Sequence, residues 1–221
     1  WITTGPRTKK LEKRIAEYVG VEKTVCLNSA TAAMEMVLHL LEVGPGDEVI
    51  VPAYTYTATA SVVVHVGATL VMVDSQRDCV EMDYEQLANA ITERTKVIVP
   101  VDLGGIVADY DKVFEIVNRP EIKAKFQPKN EIQRRFGRIV VSADCAHSLG
   151  AKRHDKMAGA IADFSSFSFH AVKNFTTAEG GALTWNIPFG GEHVGLDTDN
   201  RIPTIEGETW NEYLYRVSQL Y

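Results

Sequence analysis

Short apolar, β-branched runs alternate with helix-like stretches along most of this chain, and that alternation admits few folds. Thr24 to Leu27, Val49 to Pro52, Thr69 to Val73, Thr95 to Pro100 and Arg138 to Ala143 each read as a buried strand. Between them lie helical patterns. Thr8 to Tyr18 carries Leu11, Ile15 and Tyr18 or Val19 on one face; others run from Ala30 through Leu41, from about Ala60 to near Gly67, from an Asp83 cap to Ile91, and from Tyr110 to Asn118. Strands and helices alternating at this spacing build a largely parallel sheet, whose ligands bind beyond the carboxyl ends of the strands. The expected class is α/β, a mostly parallel central sheet sandwiched by helices.

Composition narrows the function. At 221 residues, 45% of them hydrophobic, the chain can fill one large core. A net charge of −6 and a pI near 5.5 argue against a nucleic-acid partner, since a phosphate backbone needs a positive face. No apolar run reaches bilayer length and no signal-peptide pattern opens the chain, so no membrane partner and a cytoplasmic location are expected, although Trp1 does not read as a native start and leaves room for an upstream segment. Cys26, Cys79 and Cys145 lack CxxC or metal spacing and read as small buried residues in a reducing compartment, with no metal site.

The chemistry concentrates in Ser165-Ser166-Phe167-Ser168-Phe169-His170-Ala171-Val172-Lys173, which reads as a strand end running toward the tight Gly180-Gly181 turn. A lysine is most often a solvated charge. Here Phe167, Phe169, Val172 and Phe175 flank it, and an apolar setting favours the neutral amine that attacks a carbonyl. Two further places are candidates to share a pocket with that amine. Asn28-Ser29-Ala30-Thr31 opens a helix with Asn28 or Ser29 as N-cap; it is either a well-capped helix or a phosphate site made of first-turn amides and the Thr31 hydroxyl. Asp144 ends a strand, as an N-cap or surface group or as a carboxylate that one further strand brings to face Lys173.

These residues resemble the DegT/DnrJ/EryC1/StrS family of sugar aminotransferases that use pyridoxal 5'-phosphate (PLP). Ser168-Phe169-His170-x-x-Lys173-Asn174-x-x-Thr177-x-Glu179-Gly180-Gly181-Ala182 resembles its lysine motif, Gly46 to Tyr56 a second motif, and Ala30-Thr31 its phosphate-binding turn, usually Gly-Thr. The resemblance implies a fold type I large domain over residues 1–185, and a divergent tail over 186–221 that leads toward a smaller C-terminal domain without counterpart here. It implies that Lys173 carries the cofactor and moves protons, that Ala30, Thr31 and Ser168 hold its phosphate, that Tyr56 (otherwise a core or rim aromatic) stacks on the ring, and that Asp144 meets the ring nitrogen. His147 stands near the ring or is a satisfied core histidine.

The implied reaction moves nitrogen from an amino-acid donor such as glutamate to a nucleotide-linked keto sugar, for lipopolysaccharide, other cell-surface polysaccharide or amino-sugar synthesis, in a homodimer with shared sites. The alternatives are a sugar dehydratase of the same family, which characteristically has histidine in place of the lysine, and a PLP-binding regulatory or structural subunit without catalysis. After Pro100, where the family usually has His and then Tyr-Gly-Gln, this chain has Asp102-Leu103-Gly104-Gly105-Ile106. Gly150, Gly159 and Asp163 read as structural. Arg119 to Arg138, Lys- and Arg-rich with Pro120 and Pro128, reads as an insertion of about 20 residues, a solvated surface loop in preference to a basic contact for a nucleotide phosphate. Glu208 to Leu220 reads as a helix with Tyr213, Val217 and Leu220 inward.

Overall fold

The computed structural model describes residues 4–195 and 202–220, so Trp1 to Thr3 lie outside the described residues. The elements follow in chain order: α1 (Pro6–Val19), β1 (Thr24–Leu27), α2 (Ala30–Leu40), β2 (Glu48–Pro52), α3 (Thr57–His65), β3 (Thr69–Val73), α4 (Tyr84–Ala90), β4 (Thr95–Ile98), α5 (Tyr110–Asn118), α6 (Pro120–Lys123), α7 (Glu131–Phe136), β5 (Val140–Asp144), a hairpin of β6 (Lys152–Arg153) and β7 (Lys156–Met157), β8 (Phe164–Ser168), β9 (Gly181–Trp185) and α8 (Trp210–Ser218). Seven strands form one sheet in the order β1-β9-β8-β5-β4-β2-β3, in which β9 runs antiparallel to both neighbours and the other pairings are parallel.

Both faces of this sheet are covered, which explains why its central strands read as continuous apolar runs. Val49, Val51, Val97, Val99, Val140 and Phe164 pack with α2, α3, α7 and α8 on one side; Ile50, Ile98, Val141, Ala143 and Phe167 pack with α1, α4 and α5 on the other. Leu27, Pro52, Ile98, Asp144 and Ser168 end the parallel strands at one edge, so the loops that follow them converge.

Three expectations are corrected. The segment 119–138 is not a solvated loop: α6 and α7 form within it, and Ile122, Phe126, Ile132 and Phe136 are buried. Its polar residues are anchors as well, because Gln133 Nε2 donates to the Leu41 carbonyl at 2.6 Å and Lys129 pairs with Asp47 at 2.7 Å. Cys79 is exposed and Cys26 half-buried; only Cys145 of the three is buried. Leu220 is 67% exposed, past the end of α8, while Tyr213 and Val217 do pack inward. Through Trp210, Tyr213, Leu214 and Val217, α8 joins the same apolar cluster as α2.

Gly159 and Asp163 have packing roles. A Cβ at Gly159 would lie 2.5 Å from the Phe167 ring. Asp163 forms a buried two-point ion pair with Arg138 at 2.7 and 2.8 Å and accepts the Val141 amide at 2.9 Å, which holds β5 in place.

Candidate active site

At the carboxyl edge of the sheet is a cavity of about 370 Å³, within the usual size of small-molecule sites. Ala30, Thr31, Tyr56, Asp144, His147, Ser168 and Lys173 all line it.

The first wall is the start of α2. Ser29 is the N-cap: its hydroxyl accepts the Ala32 amide at 3.1 Å, and the Ala30 and Thr31 amides of the first turn have no acceptor within the helix. This end is pressed against β9. A Cβ on Gly181 would come within 2.3 Å of the Ser29 carbonyl carbon and 2.6 Å of the Ala30 nitrogen, so only glycine fits there.

The second wall carries two buried aspartates. Asp144 is 4% exposed at the end of β5; its Oδ2 accepts the Thr59 hydroxyl at 2.7 Å and its Oδ1 the Ala146 amide at 3.1 Å. Burial pushes its carboxyl up; the Thr59 and Ala146 hydrogen bonds, and then the charges of His147 and Lys173, oppose that. Asp102, fully buried in the loop after β4, was read in the sequence only as a departure from the family pattern and was given no role. Its Oδ1 accepts from the Ala108 amide at 3.0 Å and the Tyr110 hydroxyl at 2.9 Å, and its Oδ2 from the Ser148 hydroxyl at 2.8 Å and the Cys145 thiol at 3.4 Å. Burial raises this carboxyl too.

A carboxylate has about four acceptor positions. Asp102 has four donors from the protein, while Asp144 has two and lines the cavity with capacity to spare. Asp102 is therefore an anchor for the loop through Cys145 and Ser148, and Asp144 is the carboxylate able to meet a ligand. The sequence signal for Asp102 was its place one strand over from Asp144, at the same sheet edge.

His147 is exposed at the cavity wall and is not a core histidine. Its Nδ1 accepts the Gly104 amide at 3.2 Å, so in the neutral ring the proton sits on Nε2 as a donor. Although the residue is exposed, partial desolvation of the ring at the cavity wall, and then the nearby Lys173 charge, lower its pKa, with Asp144 opposing.

The third wall is the connection from β8 to β9. Ser168 ends β8 with its side chain on the cavity, and the chain does not turn back at once: residues 169–180 intervene, carrying Lys173, before Gly181 opens β9. The Lys173 amide donates to the His170 carbonyl at 2.9 Å, and Asn174 Nδ2 to the Leu149 carbonyl at 2.9 Å. The expected apolar flank is absent in that form. Phe167 and Phe169 alternate away from Ser168 into the core, and Val172 is 79% exposed. Tyr56 lines the cavity just before α3 and is 76% exposed.

Comparison with known proteins identifies the family. Residues 1–190 match the DegT/DnrJ/EryC1/StrS aminotransferase family. The whole chain aligns with the uncharacterized protein MJ1066 of Methanocaldococcus jannaschii at 35% identity and with the spore coat polysaccharide biosynthesis protein SpsC of Bacillus subtilis at 36%, covering 52% of each. It also superposes on the PLP form of Spr1654 from Streptococcus pneumoniae with a TM-score of 0.83 and 51% identity, covering 100% of this chain and 60% of that one. The chain thus spans about half the length of the curated relatives it matches. Matched over most of its length in sequence and over all of it in fold, the chain belongs to the DegT/DnrJ/EryC1/StrS aminotransferase family.

Proposed function

We propose that this chain is the cofactor-binding part of a PLP-dependent aminotransferase. It would transfer an amino group from an amino acid, such as glutamate, to a nucleotide-linked keto sugar for polysaccharide or amino-sugar synthesis, in the cytoplasm and as a homodimer with shared sites. The observation that carries the reading is the meeting in one cavity of Lys173, Asp144 with unused acceptor capacity, and the open first turn of α2. Spr1654 is assigned as a sugar aminotransferase and is known in PLP and PMP forms, and SpsC is named for polysaccharide biosynthesis.

The residues fit the cofactor at both ends. The Gly181 cradle brings the α2 amides of Ala30 and Thr31 to the cavity for a phosphate, with the Ser168 hydroxyl opposite, and Asp144 matches a protonated ring nitrogen. When bound, PLP supplies an aldehyde for amines and a ring that withdraws electrons. Lys173 Nζ would hold the aldehyde carbon until the donor amine displaces it, then carry the proton between the donor α-carbon and the cofactor carbon. His147 Nε2–H would donate to an acceptor oxygen nearby, and Tyr56 would cover the ring face. Lys173 stands where the family's dehydratases characteristically have histidine, which favours amino transfer.

The test is to add PLP to the complete polypeptide that carries this chain, record the visible absorption, reduce with borohydride and map the modified peptide. Modification at Lys173 supports the reading, as does amino transfer to a nucleotide-linked keto sugar. A Lys173→Ala protein that still retains the borohydride-stable adduct overturns it.

A further inference from the structure

Asp144 does not stand alone in its wall. Thr59, in the first turns of α3, is fully buried, and its hydroxyl donates to Asp144 Oδ2 at 2.7 Å. The same hydroxyl oxygen lies 2.8 Å from that of Thr55, whose side chain lines the cavity. A carboxylate only accepts and a hydroxyl has one proton to give. With Asp144 ionised, Thr59 therefore spends its proton on Asp144, and Thr55 must donate to Thr59. Geometry thus orders a row running from the cavity through Thr55 and Thr59 to Asp144.

That row answers a physical problem. A carboxylate buried to this degree has lost its hydration, and each hydrogen bond to the ionised form replaces part of it. The Ala146 amide holds one oxygen, and Thr59 holds the other from a different element. Two donors from α3 and from the loop after β5 leave the carboxyl group no freedom to rotate, and direct its remaining acceptor capacity toward the cavity. The titratable groups around it are His147 and Lys173 on the cavity side, Tyr110 and Cys145 beneath it, and Asp102, whose amide donates to the Asp144 carbonyl.

We propose that Thr59, backed by Thr55, is a positioning residue that fixes the Asp144 carboxylate in one orientation and stabilises its negative charge toward a cationic ring nitrogen. The inference rests on the proposed PLP reading for its ligand, and on the hydrogen-bond row alone for its geometry.

Thr59→Val removes the hydroxyl at nearly constant shape, and Thr59→Ser retains it. In the cofactor-free protein, carbon-13 NMR of the Asp144 carboxyl, identified by its absence in Asp144→Asn, follows the titration directly. The expected result is an upward move of that midpoint in Thr59→Val, a return toward the parent value in Thr59→Ser, and a smaller upward move in Thr55→Val. With PLP added, Thr59→Val should bind about tenfold more weakly, the factor carried by one hydrogen bond to a charged group, and Thr59→Ser should recover most of it. An unchanged midpoint in Thr59→Val overturns the proposal; if that variant does not fold, an unchanged midpoint in Thr55→Val does so. The NMR measurement needs no cofactor, so a parent protein that fails to bind PLP refutes the functional reading while the Thr59 inference is still decided.

Discussion

The wall that carries Asp144 and the loop that carries Lys173 face one cavity, yet they are built by different rules. Asp144, at the end of β5, and Asp102, in the loop after β4, are buried with partners on both oxygens, among residues that also fill the core. Lys173 is half-buried in a connection where His170, Val172, Asn174 and Thr177 are exposed. The carboxylate side is thus set by the fold before any ligand arrives, whereas the amine side owes its position to a few local hydrogen bonds. A group that must hold one charge in one place benefits from rigidity. A group that must let go of one partner and take up a proton benefits from a looser seat.

The comparison predicts that damage to the carboxylate side costs folding, while damage to the lysine side costs only chemistry. The largest effect should come from Asp163→Ala, which strands the buried Arg138 beneath β5; a loss of about 3–5 kcal/mol is expected, read from urea unfolding. Gly181→Ala, at the contact between β9 and α2 rather than in either of the two compared regions, comes next. Its new Cβ overlaps the backbone at Ser29 and Ala30, so a loss of about 1–3 kcal/mol should accompany weaker PLP binding.

Asp144→Asn tests the burial of charge directly. Because burial raises this carboxyl, its contribution to stability is present at acid pH and is lost as pH rises through its folded value. The stability of the cofactor-free Asn variant relative to the parent should therefore rise with pH, and thermal unfolding between pH 4 and pH 8 would show a flat difference if the carboxylate were solvated. The smallest change in folding should belong to Lys173→Ala, within about 0.5 kcal/mol as for a surface site, while the borohydride-stable adduct disappears entirely. A Lys173→Ala protein destabilised as much as Asp163→Ala would break the comparison.

Much of this was legible because the signals were local. Thr24 to Leu27, Thr69 to Val73 and Tyr110 to Asn118 stand where their patterns placed them, since a β-branched run or a helical spacing is complete within a few residues. Ser29 as N-cap and Asp144 at a strand end have the same origin. The misreadings share the opposite cause. In 119–138, lysines and arginines outnumber the four apolar anchors, and composition does not show that most of their charged ends stay outside while Ile122, Phe126, Ile132 and Phe136 go in and Arg138 is buried on Asp163. Phe167 and Phe169 are near Lys173 in sequence, but strand alternation puts them on the far side from Ser168.

Asp102 and Thr59 show the same limit within the site. Neither belongs to a lysine or phosphate motif, and each gains its meaning from partners distant in the chain: Ser148 for Asp102, Asp144 for Thr59. By itself the sequence determined the alternation of strands and helices, the edge at which they end and the residue types delivered there, because these follow from neighbours along the chain. Only the tertiary structure decided which aspartate is sealed by four donors and which keeps capacity for a ligand, because burial and hydrogen bonding are counted among groups that the chain brings together from afar.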